Sequence, residues 1–279
     1  MRVGVIGGGR MGAGIAQVFL GIGADVVLVE AGADAAAAAC ERVRAGLAKA
    51  AERGALTEPV AVVEGRLRLV EDLAELPTDA DLVVEAVPEL PSLKIDILAR
   101  AEQAIGPATV LATNTSSLSI DELAAALDRP ARFVGMHFFN PVPPSALVEV
   151  VIGTATDVDV RDMVVEWVTA LGKTGVVVRD SPGFASSRLG VLLGLEAARM
   201  VEEGVAEPSA IDQAMELGYR HPMGPLRLTD LVGLDVRLAI ADYLRDKLGE
   251  RFAAPELLRR KVAAGELGRK TGQGFYAWD

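Results

Sequence analysis

The segment VGVIGGGRMGAGIA, at residues 3–16, constrains the fold more than any other part of the chain. It follows a short apolar strand predicted at 2–6 and leads into a helical pattern. In that context Gly7 permits a tight turn, Gly9 lets the backbone approach a pyrophosphate, and Gly12 lets the helix pack on the strand. We predict a dinucleotide site at this helix N-terminus, with Met11 of the same loop among its contacts.

The second predicted strand, 26–30, ends in an acid. Glu30 follows Gly7 by roughly 20 residues. At this spacing a carboxylate is expected to accept hydrogen bonds from an adenosine ribose. The next residues, Ala31 to Ala33, include no arginine that could pair with a 2′-phosphate. This pattern favours NAD over NADP as the cofactor.

Strand and helix patterns alternate through the first 180 residues. Strands are predicted at 2–6, 26–30, 67–70, 81–87, 109–114, 132–136, 147–153 and 175–180, and helices at 12–20, 34–54, 92–105, 119–127 and 158–171. Such alternation indicates parallel βαβ units and an α/β fold, a Rossmann-like doubly wound sheet.

The pattern changes after DSPGF, residues 180–184. From there only helices are predicted, at 184–203, 208–217, 226–249 and 255–264. We therefore predict two domains, a dinucleotide-binding domain over 1–182 and an all-α C-terminal domain over 183–279.

Charge and cysteine content argue against several classes of protein. The net charge of −11 disfavours nucleic-acid binding, which requires a clustered basic face. Cys40 is the only cysteine and the two histidines are far apart, so neither a disulfide nor a metal site is expected. Without a leader-like N-terminus or an apolar run of about 20 residues, we expect a protein of the reducing cytoplasm with no membrane partner.

His137, in GMHFFNPVPPSALVEV (135–150), is the main catalytic candidate. A histidine among apolar residues is usually a core residue. However, His137 follows a predicted strand, where functional loops of α/β sheets begin, and the chain offers few other bases near pH 7. Glu149, in the next predicted strand, could orient its imidazole by accepting a hydrogen bond from one ring nitrogen. A solvent-facing Glu149 on an edge strand is an equally good interpretation.

The sequence ATNTSSLSI adds a polar cluster after another predicted strand. Asn114, Thr115, Ser116 and Ser117 suit a helix N-cap, and they suit contacts to a substrate hydroxyl and a nicotinamide amide equally well. His221 precedes a proline at a helix start and has no acid in an obvious relay, so we expect it to be structural.

These segments together resemble the L-3-hydroxyacyl-CoA dehydrogenase family, in particular its bacterial 3-hydroxybutyryl-CoA members. The resemblance covers residues 3–279 and rests on seven blocks in order: GVIGGGRMGAGIAQVF, DLVVEAVPELPSLK, ATNTSSLSI, GMHFFNPVP, DSPGF, HPMGPLRLTDLVGLD and GRKTGQGFYAWD. It implies NAD-dependent interconversion of an L-3-hydroxyacyl-CoA and a 3-oxoacyl-CoA. It also implies a homodimer that is formed through the helical domain.

The resemblance also implies roles for individual residues. His137 is expected to be the general base, Glu149 its orienting carboxylate, and Ser116 a group near the reacting oxygen. Cofactor contacts are expected from Glu89, Lys94, Asn140 and Lys270. Asn114, from the polar cluster described above, is a further candidate for a cofactor contact.

Two positions depart from the family pattern. Ser187 occupies the position where many relatives carry a substrate-site asparagine, and a hydroxyl is shorter and donates fewer hydrogen bonds than an amide. Ala55 occupies the position of a frequent lysine, so a cation for the coenzyme A phosphates would have to come from Arg42, Arg44, Lys49 or Arg53. Most of these four are better explained as a solvated helix face.

Other functions fit parts of the pattern. A dehydrogenase on the same scaffold could act on a hydroxyadipyl thioester or on a sugar acid such as L-gulonate. A catalytically silent NAD-binding regulator would need the glycine loop and Glu30 but not the pairing of His137 with Glu149.

Overall fold

The computed structural model describes residues 1–278 and divides into two compact units. The first is Met1–Asp180, and the second begins at Ser181. Within the described residues, no helix is long and apolar enough to cross a membrane.

A single sheet forms the centre of the first unit. Its strands are β1 (Arg2–Ile6), β2 (Asp25–Val29), β3 (Leu67–Val70), β4 (Leu82–Glu85), β5 (Val110–Thr113), β6 (Phe133–Phe138), β7 (Leu147–Ile152) and β8 (Thr174–Arg179). Their order across the sheet is β3-β2-β1-β4-β5-β6-β7-β8. This order confirms the predicted Rossmann-like doubly wound sheet.

The direction of β7 differs from the expected parallel arrangement. Strands β1 to β6 run parallel to one another, whereas β7 pairs antiparallel with β6 and parallel with β8. Residues 139–146 are the whole connection between β6 and β7. A parallel crossover needs about a dozen residues or more, so this short segment can only turn the chain back beside β6.

Helices of the first unit cover the sheet. They are α1 (Arg10–Gly21), α2 (Ala33–Glu52), α3 (Val60–Glu64), α4 (Pro91–Ala104), α5 (Ile120–Ala124) and α6 (Val158–Ala170). The inward face of α1 places Ile15 and Phe19 in the same buried cluster as Val3, Val5 and Leu28 of the strands. Because apolar burial is the main favourable term in folding, this packing fixes the glycine loop between β1 and α1.

The second unit contains only helices as regular elements among its described residues. They are α7 (Ser186–Glu202), α8 (Pro208–Tyr219), α9 (Pro225–Val232), α10 (Leu234–Leu248) and α11 (Glu256–Ala263). The single helix predicted at 226–249 is wrong, because the chain breaks at Gly233 with a φ of 105°. Residues with a Cβ rarely adopt this backbone conformation, so the glycine separates α9 from α10.

A buried carboxylate anchors the C-terminal segment within this unit. Asp230 accepts hydrogen bonds from the backbone N–H groups of Phe275 and Tyr276 and from the indole N–H of Trp278, all at 2.8–2.9 Å. A Cβ on Gly274 would lie 2.3 Å from Asp230 Oδ1, so only glycine fits there. The GRKTGQGFYAWD block therefore has a structural role in holding the end of the chain.

Candidate active site

The glycine loop has the geometry of a phosphate-binding turn. Gly7 adopts a φ of 95°, and a Cβ on Gly12 would lie 1.7 Å from the carbonyl oxygen of Gly7. A Cβ on Gly9, in contrast, would meet nothing within 4 Å. Gly7 and Gly12 are thus required by the fold, whereas Gly9 leaves open space at the N-terminus of α1, where a pyrophosphate would lie. Met11 is in the first turn of this helix.

Glu30 lies directly after β2 and contacts this loop. Its Oε2 accepts a hydrogen bond from the Gly8 N–H at 2.5 Å, and its Oε1 accepts one from the Ala31 N–H at 3.1 Å. Arg42 of α2 donates to the Gly8 carbonyl oxygen at 3.0 Å. Sequence reasoning considered Arg42 only as a possible cation for coenzyme A phosphates, and its place at the glycine loop depends on tertiary packing.

His137 and Glu149 are brought together by the antiparallel pairing of β6 and β7. They are direct partners in the register, and His137 Nδ1 lies 2.8 Å from Glu149 Oε2. The two residues are only 7% and 1% exposed. The alternative of a solvent-facing Glu149 is therefore excluded. His137 also lies within β6 rather than after it, because the strand extends to Phe138.

This pairing defines which ring nitrogen could exchange a proton with a substrate. A carboxylate on Nδ1 favours a proton there and directs Nε2 to the chemistry. The Phe139 ring lies 4.3 Å from the imidazole, centroid to centroid, and limits its movement. The geometry suits a general base that becomes a stabilised imidazolium.

Glu89 organises the polar cluster after β5. Its Oε1 accepts hydrogen bonds from the Thr115 hydroxyl at 2.5 Å, the Ser116 N–H at 2.9 Å and the Ser116 hydroxyl at 3.3 Å. The loop that carries Ser116 is thus held by a carboxylate from the loop after β4.

Lys94 is completely buried, and its nearest partner is Glu85, which the sequence did not single out. Lys94 Nζ donates to both Glu85 oxygens at 2.8 and 3.0 Å and to the Asn114 carbonyl oxygen at 3.1 Å. Glu89 Oε2 is more distant, at 3.5 Å. Burial raises the pKa of the Glu85 carboxyl, while Lys94 and the Thr113 hydroxyl act in the opposite direction. The pair joins β4, α4 and the end of β5.

Asn114 connects the ends of three neighbouring strands. Its backbone N–H donates to the Glu85 carbonyl oxygen at 2.7 Å, and its Oδ1 accepts from the Phe138 N–H at 3.0 Å. The end of β5 is therefore fixed relative to β6, which carries His137.

The loop at residues 139–146, which contains Asn140, is held by a lysine that the sequence did not indicate. Lys173 Nζ donates to the carbonyl oxygens of Val142, Pro143 and Ser145 at 2.8, 3.2 and 2.5 Å. Lys173 is 8% exposed, and burial lowers the pKa of its ammonium. Val142 is buried and packs closely against α1, because a Cβ on Gly14 of that helix would lie 2.9 Å from the Val142 Cβ. The loop thus contacts the helix that follows the glycine turn.

Two predicted site residues and the second histidine belong to the second unit. Ser187 lies in the first turn of α7, and Lys270 bonds both Asp235 oxygens at 2.6 Å. His221 lies between α8 and α9, and its backbone N–H donates to the Met215 carbonyl oxygen. Across the described residues, no group of three or more histidine, cysteine or acidic side chains could hold a metal ion.

The sheet order, the glycine turn and Glu30 define a dinucleotide-binding protein of the Rossmann class. Residues 2–181 match the NAD binding domain of 3-hydroxyacyl-CoA dehydrogenase, and residues 183–278 match the C-terminal domain of the same family. The chain belongs to the 3-hydroxyacyl-CoA dehydrogenase family, as the resemblance predicted. It is therefore an NAD-dependent enzyme, and the prediction of NAD as the cofactor is confirmed.

Individual relatives are similar along their whole length. A protein of Deinococcus radiodurans named "Probable 3-hydroxybutyryl-CoA dehydrogenase" is 45% identical, and the alignment covers 100% of both chains. The 3-hydroxybutyryl-CoA dehydrogenase of Bradyrhizobium diazoefficiens is 42% identical over 99% of this chain and 94% of its own. The crystal structure of (S)-3-hydroxybutyryl-CoA dehydrogenase from Ralstonia eutropha superposes with a TM-score of 0.95 at 39% identity, covering 100% of this chain and 99% of that one.

Proposed function

We propose that this protein interconverts L-3-hydroxyacyl-CoA and 3-oxoacyl-CoA, with 3-hydroxybutyryl-CoA as its main substrate. The observation that carries the proposal is the buried hydrogen bond between His137 Nδ1 and Glu149 Oε2, at 2.8 Å. Relatives named as 3-hydroxybutyryl-CoA dehydrogenases, similar along the whole chain, support the choice of substrate.

His137 acts as the general base in this proposal. NAD, when bound, would supply the acceptor for the hydride that leaves C3 of the hydroxyacyl group. His137 takes the hydroxyl proton on Nε2 as the C3–O bond becomes a carbonyl, a contribution of about 10²–10⁴-fold. Glu149 stabilises the resulting imidazolium through Nδ1. In the reverse direction the imidazolium returns the proton to the oxygen.

Ser116 stabilises the reacting oxygen by donating a hydrogen bond. The contact of Glu89 with the Ser116 N–H, at 2.9 Å, supports this role because it holds the loop in one conformation. The Ser116 hydroxyl exchanges its 3.3 Å hydrogen bond to Glu89 for one to the reacting oxygen when substrate binds. Glu89 and Lys94 contribute to the site beside the nicotinamide mainly by holding other residues in place. Lys94, whose Nζ bonds Glu85 and Asn114, fixes Asn114 as the contact to the cofactor.

The remaining cofactor contacts follow the geometry of the glycine turn. The loop formed by Gly7, Gly9, Met11 and Gly12 would hold the pyrophosphate, and Glu30 would accept hydrogen bonds from the adenosine ribose. Asn140 and Lys270 complete the proposed set.

The helical domain at 183–279 contributes Ser187 to substrate binding and mediates dimerisation in this proposal. Large apolar side chains on the surface of that unit support a protein interface, among them Leu189 at 60% exposure and Leu193 at 41%. We keep the reducing cytoplasm as the expected location.

The closest alternatives are a hydroxyadipyl-CoA dehydrogenase and an L-gulonate-type dehydrogenase on the same scaffold. A silent NAD-binding regulator is disfavoured, because a regulator has no need for the buried pairing of His137 with Glu149. The test is oxidation of NADH at 340 nm with acetoacetyl-CoA, repeated with NADPH, and reduction of NAD with L-gulonate. We expect fast turnover only with acetoacetyl-CoA and NADH. Turnover with the sugar acid alone, or with neither substrate, would contradict the proposal.

A further inference from the structure

Glu85, at the end of β4, is a buried acid to which the proposed mechanism assigns no step. Glu85 and Lys94 are both completely buried, and Lys94 Nζ donates to the two carboxylate oxygens at 2.8 and 3.0 Å. The same oxygens accept hydrogen bonds from the Val87 N–H at 2.6 Å and from the Thr113 hydroxyl at 2.5 Å. These donors hold the carboxylate in one position and offset the cost of burying its charge.

A second acid lies within reach of the same ammonium. Glu89 Oε2 is 3.5 Å from Lys94 Nζ, compared with 2.8 Å for Glu85 Oε1. Glu89 is on the loop after β4 and its side chain is 38% exposed, so its carboxylate can shift more readily than the buried one. Lys94 therefore lies between two carboxylates and is hydrogen-bonded to Glu85 alone.

The other oxygen of Glu89 holds the loop that carries Ser116. Glu89 Oε1 accepts hydrogen bonds from the Thr115 hydroxyl at 2.5 Å and from the Ser116 N–H at 2.9 Å. A close contact with the ammonium of Lys94 would outweigh a contact with a neutral N–H, because both partners are then charged. Such a contact would draw the Glu89 carboxylate away from the loop. The acid that binds Lys94 thus decides whether Ser116 stays in place.

We propose that Glu85 is a positioning residue for Ser116. By binding the ammonium of Lys94, Glu85 leaves the Glu89 carboxylate available to hold the loop. This inference rests on the proposed function and adds to it a residue that acts through others. Glu85 itself touches neither substrate nor cofactor in this account.

Two substitutions break the same ion pair with different consequences for the loop. Glu85→Gln leaves the ammonium, which then pairs with Glu89 and releases the Ser116 N–H. Lys94→Met removes the ammonium, so Glu89 keeps its hydrogen bonds to the loop. An ion pair with a purely structural role would give the same loop response in both variants, since each leaves one buried charge without its partner.

Hydrogen exchange at the Ser116 amide, resolved by NMR in the intact chain, measures this difference. We expect the exchange to be about tenfold faster in Glu85→Gln and within about twofold of wild type in Lys94→Met. Glu102→Gln is the matched control, because Glu102 is another buried acid of the first unit, 4% exposed, that accepts two backbone N–H groups at 2.8 Å. It should lower the Tm without changing the Ser116 amide. Equal exchange in Glu85→Gln and Lys94→Met, whether raised or unchanged, would overturn the inference.

A double-mutant cycle with acetoacetyl-CoA and NADH tests whether this positioning reaches the reaction. Rates are compared well below the Tm of each variant, so that lost folding is not counted as lost catalysis. Ser116→Ala should lower kcat about 10²-fold, as for the loss of a donor to the reacting oxygen, and Glu85→Gln about tenfold. In the Ser116→Ala background, Glu85→Gln should lower kcat by less than about twofold more, because its effect passes through the missing hydroxyl. Effects that multiply to about 10³-fold would show that Glu85 does not act through Ser116.

The two measurements separate this inference from the proposed function. Wild-type inactivity with acetoacetyl-CoA would reject the proposed function, and wild-type turnover in Ser116→Ala would reject its role for Ser116. In either case the exchange rates alone decide whether Glu85 holds the loop. If Glu85→Gln does not fold, the double variant Glu85→Gln/Lys94→Met removes both buried charges together. Its Ser116 amide should be protected as in the wild type, and faster exchange there would contradict the inference.

Discussion

Replacing Glu149 by glutamine removes one negative charge from the proposed relay. Glutamine keeps the shape of the side chain and an oxygen that can accept from His137 Nδ1, 2.8 Å from the present carboxylate oxygen. Both residues are buried, so solvent does not screen the lost charge. A hydrogen bond to a charged group contributes about 1.5–3 kcal/mol. If that energy is realised only when the imidazolium forms, kcat should fall about 10- to 150-fold.

The assay separates chemistry from cofactor binding. We would measure kcat for acetoacetyl-CoA reduction and, by fluorescence titration, the Kd for NADH of Glu149→Gln. Glu166→Gln is the control, since Glu166 is an exposed acid on α6 of the same unit. The expected result is a reduced kcat with a nearly unchanged Kd, and no effect in the control. Turnover within about twofold of wild type in Glu149→Gln would refute the relay.

Two further predictions concern the cofactor site. Gly12→Ala should prevent folding or lower the Tm strongly, because its Cβ would lie 1.7 Å from the Gly7 carbonyl oxygen. Gly9→Ala should keep the wild-type Tm and lose NADH affinity, because a Cβ there meets no protein atom within 4 Å. Equal Tm values for both variants would contradict this assignment. Lys173→Met should raise the KM for NADH about tenfold with a smaller effect on kcat, because three carbonyl groups of the 139–146 loop lose their donor. Lys173→Arg should restore part of the affinity, and an unchanged KM in Lys173→Met would show that the loop does not need this support.

The sequence was most informative where the structure is local. The turn between β1 and α1 is specified by Gly7 and Gly12 within a few residues, and the predicted strand at 26–30 placed Glu30 next to the end of β2. The break at Gly233 was missed because one glycine inside a helical pattern is a weak signal for a helix end. The reversal of β7 could have been predicted from the short connection at 139–146.

Contacts between distant segments were not predictable in the same way. The pairing of Glu149 with His137 was one of two equally good interpretations of the sequence, and the register of β6 and β7 decides in its favour. Glu85 lies within the predicted strand 81–87, and nothing in that pattern marks it as functional. Its hydrogen bond with Lys94 depends on how α4 packs on the sheet. Lys173 follows α6 and resembles an ordinary surface lysine in the sequence. Its three carbonyl partners lie about 30 residues away.

The most direct test of the central claim is the turnover of His137→Ala with acetoacetyl-CoA and NADH, measured beside its Kd for NADH and its Tm. The account predicts that kcat falls by at least about 10²-fold, as expected for the loss of a general base, while the Kd and the Tm stay near the wild-type values. A variant that folds, binds NADH and turns over at close to the wild-type rate would contradict the assignment of His137 as the base.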